Sequence, residues 1–173
     1  MIRSIVGSFS YRYKKSQVCG SSANGAVLVC VSRDDDGRNP WVVASMKDDG
    51  TTLKLPGVLF KTFDQCKAAV SSSRNILDSF SLLCTSRDGD GRTPFEIFKV
   101  SSDNTVTNEG LVFKEFEDCT ASLQKAKQTP KSIIACASRD GDGRDPWALF
   151  AVTESTTNKT HLSYKTRDEC LAQ

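Results

Sequence analysis

The segment CVSRDDDGRNPW, Cys30 to Trp41, decides how this chain is organised, because it occurs three times. It returns as CTSRDGDGRTPF from Cys84 to Phe95 and as CASRDGDGRDPW from Cys136 to Trp147, with the first cysteines 54 and then 52 residues apart. A fixed period of this length makes the repeat, rather than the whole chain, the unit in which folding has to be read. A second motif follows each copy: FKTFDQC (Phe60 to Cys66), FKEFEDC (Phe113 to Cys119) and YKTRDEC (Tyr164 to Cys170). A fourth copy of the second motif, YKKSQVC from Tyr13 to Cys19, has no first motif before it. The chain therefore reads as an N-terminal half-repeat (1–25) followed by repeats at 26–78, 79–130 and 131–173.

Within each repeat, residues 26–31, 81–85 and 133–137 are short apolar runs that enter a loop rich in Asp and Gly, as the first strand of a hairpin does. The return strand starts at the Pro-aromatic pair and alternates, with Trp41 and Val43, Phe95 and Ile97, or Trp147 and Leu149 on the core side. A polar stretch of varying length (KDDGTT, SSDNTVTNEG, TESTTNKT) reads as an exposed loop leading to a third strand that ends at the aromatic-Lys pair. Thr62-x-x-Gln65 and Thr166-x-x-Glu169 then match the capping box that opens a helix, whereas Glu115 in the second repeat departs from it. The expected fold class is α+β, in tandem repeats of a three-stranded antiparallel meander followed by a short helix and tied by disulfides. The alternative is one β-rich domain with pseudo-threefold symmetry.

The loop S-R-D-x-D-G-R-x-P-[WF] carries the candidate site residues: Ser32, Asp34, Asp36 and Arg38; Ser86, Asp88, Asp90 and Arg92; Ser138, Asp140, Asp142 and Arg144. Three readings stand side by side. The spacing S-x-D-x-D-G matches the opening of a calcium loop with a hydroxyl in place of the first carboxylate. Position 12, where such a loop needs a bidentate Glu, is Val43, Ile97 or Leu149, and two arginines per loop offset the two shared aspartates. As a self-satisfying hairpin, the loop would use Ser and Asp as acceptors for backbone N–H groups and Gly for positive φ. As an exposed Arg/Asp cluster, it would contact a ligand. The motif resembles the Asp-box hairpins of several β-propellers and other β proteins, though it is about one residue longer and has Pro before the aromatic. The resemblance covers ten residues per repeat and implies no activity.

Cysteines occupy the same two places in every repeat. In a meander the first strand ends and the helix begins at one end of the sheet. That geometry predicts Cys30–Cys66, Cys84–Cys119 and Cys136–Cys170, with Cys19 unpaired or intermolecular. The competing scheme joins each helix cysteine to the next first strand: Cys19–Cys30, Cys66–Cys84 and Cys119–Cys136. Spacings of 36, 35 and 34 residues and a single His161 do not suit zinc. Regular disulfides point to an oxidising, extracellular setting. Asn158-Lys159-Thr160 is a glycosylation sequon, read as lying in a loop.

The 173 residues carry 23 basic and 21 acidic side chains, a formal +2, which gives no electrostatic signal for nucleic acid. The longest apolar runs have six residues, far short of a membrane span, and the first fifteen residues lack the apolar core of a signal peptide. The chain has no Gly-rich phosphate loop, and His161 occurs in one repeat only, so neither nucleotide chemistry nor a general base is indicated. The expectation is an extracellular, non-enzymatic structural or assembly module, with self-association or other extracellular components as partners and head-to-tail growth as one mode. Its rival is a multivalent carbohydrate-binding or adhesive protein using the loops, with calcium as the one candidate cofactor. An inhibitor of a secreted hydrolase is a third class, without an identifiable reactive loop.

Overall fold

A computed structural model describes residues 27–34, 37–47, 49–76 and 79–173. The half-repeat with Cys19, and Asp36 of the first loop, lie outside the described residues. The described chain is mainly antiparallel β-sheet with three short helices, so the α+β expectation is corrected toward β. Its elements run β1 (Val27–Ser32), β2 (Trp41–Met46), β3 (Thr52–Phe60), α1 (Phe63–Ser72), β4 (Arg74–Ile76), β5 (Phe80–Ser86), β6 (Phe95–Ser101), β7 (Val106–Phe113), α2 (Phe116–Lys125), β8 (Lys127–Gln128), β9 (Ile133–Ser138), β10 (Trp147–Val152), β11 (Thr157–Tyr164) and α3 (Arg167–Leu171).

Three sheets follow one another along the chain: β1-β2-β3, β4-β5-β6-β7 and β8-β9-β10-β11. Each contains the meander expected for its repeat. Sheets two and three also gain a fourth, short strand from the residues after the preceding helix, since β4 pairs with β5 and β8 with β9. The segment that the sequence period assigns to the end of one repeat thus hydrogen-bonds into the sheet of the next. The polar stretches are shorter as loops than expected. Residues 106–110 and 157–160 belong to β7 and β11, because their backbones pair with β6 and β10 despite polar side chains.

The third strand of every repeat is bulged where it crosses the second, between Val42 and Ala44, Glu96 and Phe98, and Ala148 and Phe150. A bulge bends a strand and re-aims its side chains, and here Leu55 and Val58, and in the next repeat Leu111, are turned into the core.

Helices α1 and α3 start as the capping boxes require. Thr62 and Thr166 accept hydrogen bonds from the backbone N–H groups of Gln65 and Glu169. Helix α2 forms without a side-chain cap at Glu115, held by the burial of Phe116, Cys119 and Leu123. Disulfides join Cys30 to Cys66, Cys84 to Cys119 and Cys136 to Cys170, with Cα separations of 6.0, 5.9 and 5.9 Å. Each ties a first strand to the helix of the same repeat, and the three fit an oxidising, extracellular or secreted setting.

The repeats are not independent beads. Helix α1 packs on its own sheet and on β5, helix α2 packs on its own sheet and on β9, and the two helices touch. One apolar core runs from Leu28 through Phe80 and Leu123 to Val152 and Cys170. The alternation expected for β6 is lost, since six of its seven residues are buried, and all seven residues of β5 are buried as well. The middle sheet is covered on both faces because it has a neighbour on either side. A unit of about 50 residues buries too little apolar surface to be stable alone, so much of the stabilisation here arises between repeats. Among the described residues no helix is long and apolar enough to cross a membrane.

Candidate functional site: the repeated loop and the strand end it receives

The loop serine is the hub of the hairpin. Ser86 is fully buried; its Oγ accepts from the N–H groups of Asp90 and Gly91 at 3.0 and 2.9 Å, and lies 3.3 Å from Asp90 Oδ1. In the third repeat Ser138 Oγ lies 2.9 Å from Asp142 Oδ1 and accepts from Arg144 N–H at 3.3 Å. The second loop aspartate turns back on the chain. Asp90 Oδ1 accepts from Arg92 N–H at 2.8 Å, and Asp142 Oδ1 accepts from Arg144 N–H at 3.0 Å. The Arg144 N–H and, after it, the Ser138 hydroxyl hold the Asp142 carboxyl below the usual carboxylate range. The hairpin is closed in all three repeats by the N–H of Arg33, Arg87 or Arg139 donating to the carbonyl of Pro40, Pro94 or Pro146.

The first loop aspartate points the other way. Asp34, Asp88 and Asp140 are exposed and lie beside Arg33, Arg87 and Arg139 at 3.2, 3.4 and 2.9 Å. The Arg139 hydrogen bond also lowers the Asp140 pKa. In the second and third loops the two carboxylates therefore diverge rather than converge on one point. Among the described residues no group of three or more His, Cys, Asp or Glu side chains is placed to hold a metal ion. Arg38, Arg92 and Arg144 are exposed, and Arg92 Nε lies 3.9 Å from Asp90.

Two features of the loop escaped the sequence reading. The residue before each proline is matched to the aromatic after it: Asn39 and Asp145 accept from the indole N–H of Trp41 and Trp147, and Thr93 stands where the aromatic is Phe95 and offers no N–H. The peptide bonds preceding Pro40, Pro94 and Pro146 are all cis.

The larger omission is what the loops are packed against. A Cβ added to Gly91 would lie 2.7 Å from Lys61 N, and one added to Gly143 would lie 2.7 Å from Lys114 N. The aromatic-Lys ends of β3 and β7 are thus seated on the loops of the repeats that follow them. Phe60 stacks edge-on against Phe116 at 6.2 Å, which in turn lies 5.3 Å from Phe95; Phe113 lies 5.9 Å from Trp147. Thr85 Oγ1 donates to Leu59 O across the first junction. In the third repeat Arg167 replaces the aromatic at the helix start and pairs with Asp118 of α2.

Substitution at these glycines separates backbone strain from docking. All three sit at φ between 73° and 76°, where a side chain costs roughly 1–2 kcal/mol. Gly37→Ala should lose about that much. Gly91→Ala and Gly143→Ala must also push aside a backbone segment, adding about 1–3 kcal/mol of overpacking. Urea unfolding of the three variants should therefore rank Gly37 well above the other two in tolerance, and equal losses would contradict the docking description.

The remaining candidates are scattered. Asn158 is exposed on β11, in a strand rather than in the loop expected for the sequon, because residues from 157 onward pair with β10. His161 is exposed on the same strand. A shallow recess lined by Ser122, Lys125, Lys127, Cys136, Leu149 and Leu171 lies between α2 and the third sheet; the Ser122 hydroxyl there donates to the Cys136 carbonyl, and Cys136 and Cys170 are tied as a disulfide. No known protein family, curated protein or solved structure matches the chain.

Proposed function

We propose that this is an extracellular, non-enzymatic repeat protein acting as a structural or assembly module. The observation that carries the reading is the repetition of one junction: at each boundary an apolar-x-aromatic-Lys strand end is received by the glycine of the following S-R-D-x-D-G-R loop and by an aromatic ring of that repeat, Phe116 at the first boundary and Trp147 at the second. The best-marked motif of the sequence thereby acts as a receptor for protein. Stacked units of this kind suit scaffolds, in which stability is a sum of unit and interface terms and broad surfaces are presented to partners. Asp34, Asp88, Asp90, Asp140 and Asp142 of the loops are occupied by Ser, Arg and backbone donors, which supports packing over catalysis.

The test is the mass of the oxidised full-length chain by light scattering, from micromolar to millimolar concentration. Mass that rises with concentration is the expected result, and a chain that stays monomeric throughout and binds only glycans would defeat the reading. A second reading, multivalent carbohydrate binding with or without calcium, is favoured by one observation: the exposed Arg33–Asp34, Arg87–Asp88 and Arg139–Asp140 pairs recur once per repeat. Glycan-array binding that is lost on replacing Arg33, Arg87 and Arg139 by Ala would establish it.

A further inference from the structure

We infer that the loop end of the first repeat is a docking site for the C-terminal strand end of a second copy of this chain, so that Leu162-x-Tyr164-Lys165 of one molecule seats on Gly37, Trp41 and Phe63 of the next. The inference rests on the assembly reading above and specifies its interface.

Among the described residues, the first repeat carries the receiving half of the internal junction and the third repeat the donating half, each without its counterpart. On the receiving side, Gly91 and Gly143 are buried under the preceding strand end, whereas Gly37 is exposed and a Cβ built there meets no heavy atom within 4 Å among the described residues. Phe116 is 6% exposed beneath Phe60, while its counterpart Phe63 is 42% exposed and has Trp41 as a ring neighbour at 4.7 Å. Cys84 is fully buried, and Cys30 only half-buried.

On the donating side, Val58 and Leu111, two residues before the strand-end aromatic, are 0% and 2% exposed, and Phe60 and Phe113 are 1% and 0% exposed. The matching Leu162 is 44% exposed and Tyr164 half-buried. Among the described residues, Leu53, Phe63 and Leu162 are exposed large apolar side chains, and two of these occupy the unmatched halves. Trp41 and Phe63 adjoin each other on the receiving side, and the internal junctions define the shape of their complement.

A second copy fits better than the chain's own Tyr13-Lys14. The strand-end donors place an aliphatic residue two positions before the aromatic, as Leu162 does, whereas that position before Tyr13 is Tyr11. Lys61 and Lys114 are 20 and 19 residues before Ser81 and Ile133, room enough for a helix and an edge strand, but Lys14 is only 13 residues before Val27. The contact pairs unlike surfaces, so it is heterologous and extends into a filament unless its rotation closes a ring.

The experiment uses three full-length variants, each blocking one half. Phe63→Glu removes the receptor and Tyr164→Glu the donor; Leu162→Glu serves as a second donor variant, since that side chain already meets water. Disulfide mapping and near-UV circular dichroism establish that each is folded. Wild type should grow in mass with concentration, and each variant alone should associate at least tenfold more weakly. An equimolar mixture of a receptor-blocked and a donor-blocked chain should form heterodimers and stop there, because only one intact contact remains. Folded variants that assemble like wild type would overturn this interface while leaving the assembly reading in place, as would a mixture that stays monomeric while wild type assembles. A wild-type chain that stays monomeric would remove both.

Discussion

Replacing the central disulfide as a pair, Cys84→Ala with Cys119→Ala, is expected to lower the stability of the chain by about 4 kcal/mol, the loop-closure entropy of a 35-residue tie. Alanine keeps the Cβ atoms and places no hydroxyl in a site where both cysteines are fully buried. The tie joins β5 to α2, and those two elements carry contacts to the first repeat through α1 and β3 and to the third through β9. In a stack of coupled units, loss from the middle one weakens two interfaces at once. The same replacement at Cys30 and Cys66 touches a unit with one neighbour among the described residues, so its effect should be smaller. Guanidinium unfolding under oxidising conditions measures both, and a central variant no less stable than the terminal one would contradict the coupled-stack description.

A loss of comparable size, about 3–5 kcal/mol, is expected for Glu109→Ala. Lys99 Nζ lies 3.1 Å from Glu109 Oε1, with only 9% and 6% of the two side chains exposed. The ammonium also donates to Thr153 O at 3.4 Å and sits 6.0 Å above the Phe80 ring. Glu109 accepts from Thr107 Oγ1 at 3.0 Å and is hydrogen-bonded by Thr157. The β10–β11 turn of the third repeat thus covers an ion pair belonging to the second. Truncating the acid leaves a positive charge out of water without a partner, which is the costly case; replacing both by apolar residues of similar size, Lys99→Met with Glu109→Leu, should recover most of the loss. At roughly 2–4 °C per kcal/mol for a chain of this length, the single variant should melt on the order of 10 °C lower. A double variant as unstable as the single would show that the pair is a net stabiliser rather than a matched cost.

The difference between the legible and the hidden parts of this protein is visible in these two cases. The disulfide partners follow from local geometry, because the direction of three strands places one cysteine of each pair beside the other. The ion pair occurs only in the middle repeat, where Lys99 stands at the place of Ser45 and Ala151 and Glu109 at that of Pro56 and Thr160. Within FEIFKV, Lys99 reads as a solvated position, because charged side chains are mostly exposed. Its partner could not be read from spacing, since it is brought opposite by the bulge in β7.

The repeat period, the hairpin with its serine hub, the capping boxes at Thr62 and Thr166 and the ends at which strands meet helices were written in the sequence by itself. All depend on residues close together in the chain, where turn chemistry, side-chain period and capping act locally. Only the tertiary structure decided that β4 and β8 join the following sheet, that the middle strands are buried on both faces, and that Gly91 and Gly143 receive the preceding aromatic-Lys end while Gly37 stands open. The loop glycines are identical in sequence, and their environments differ because burial is a property of neighbours. A repeat in the middle of a stack has two, and a repeat at its end has one.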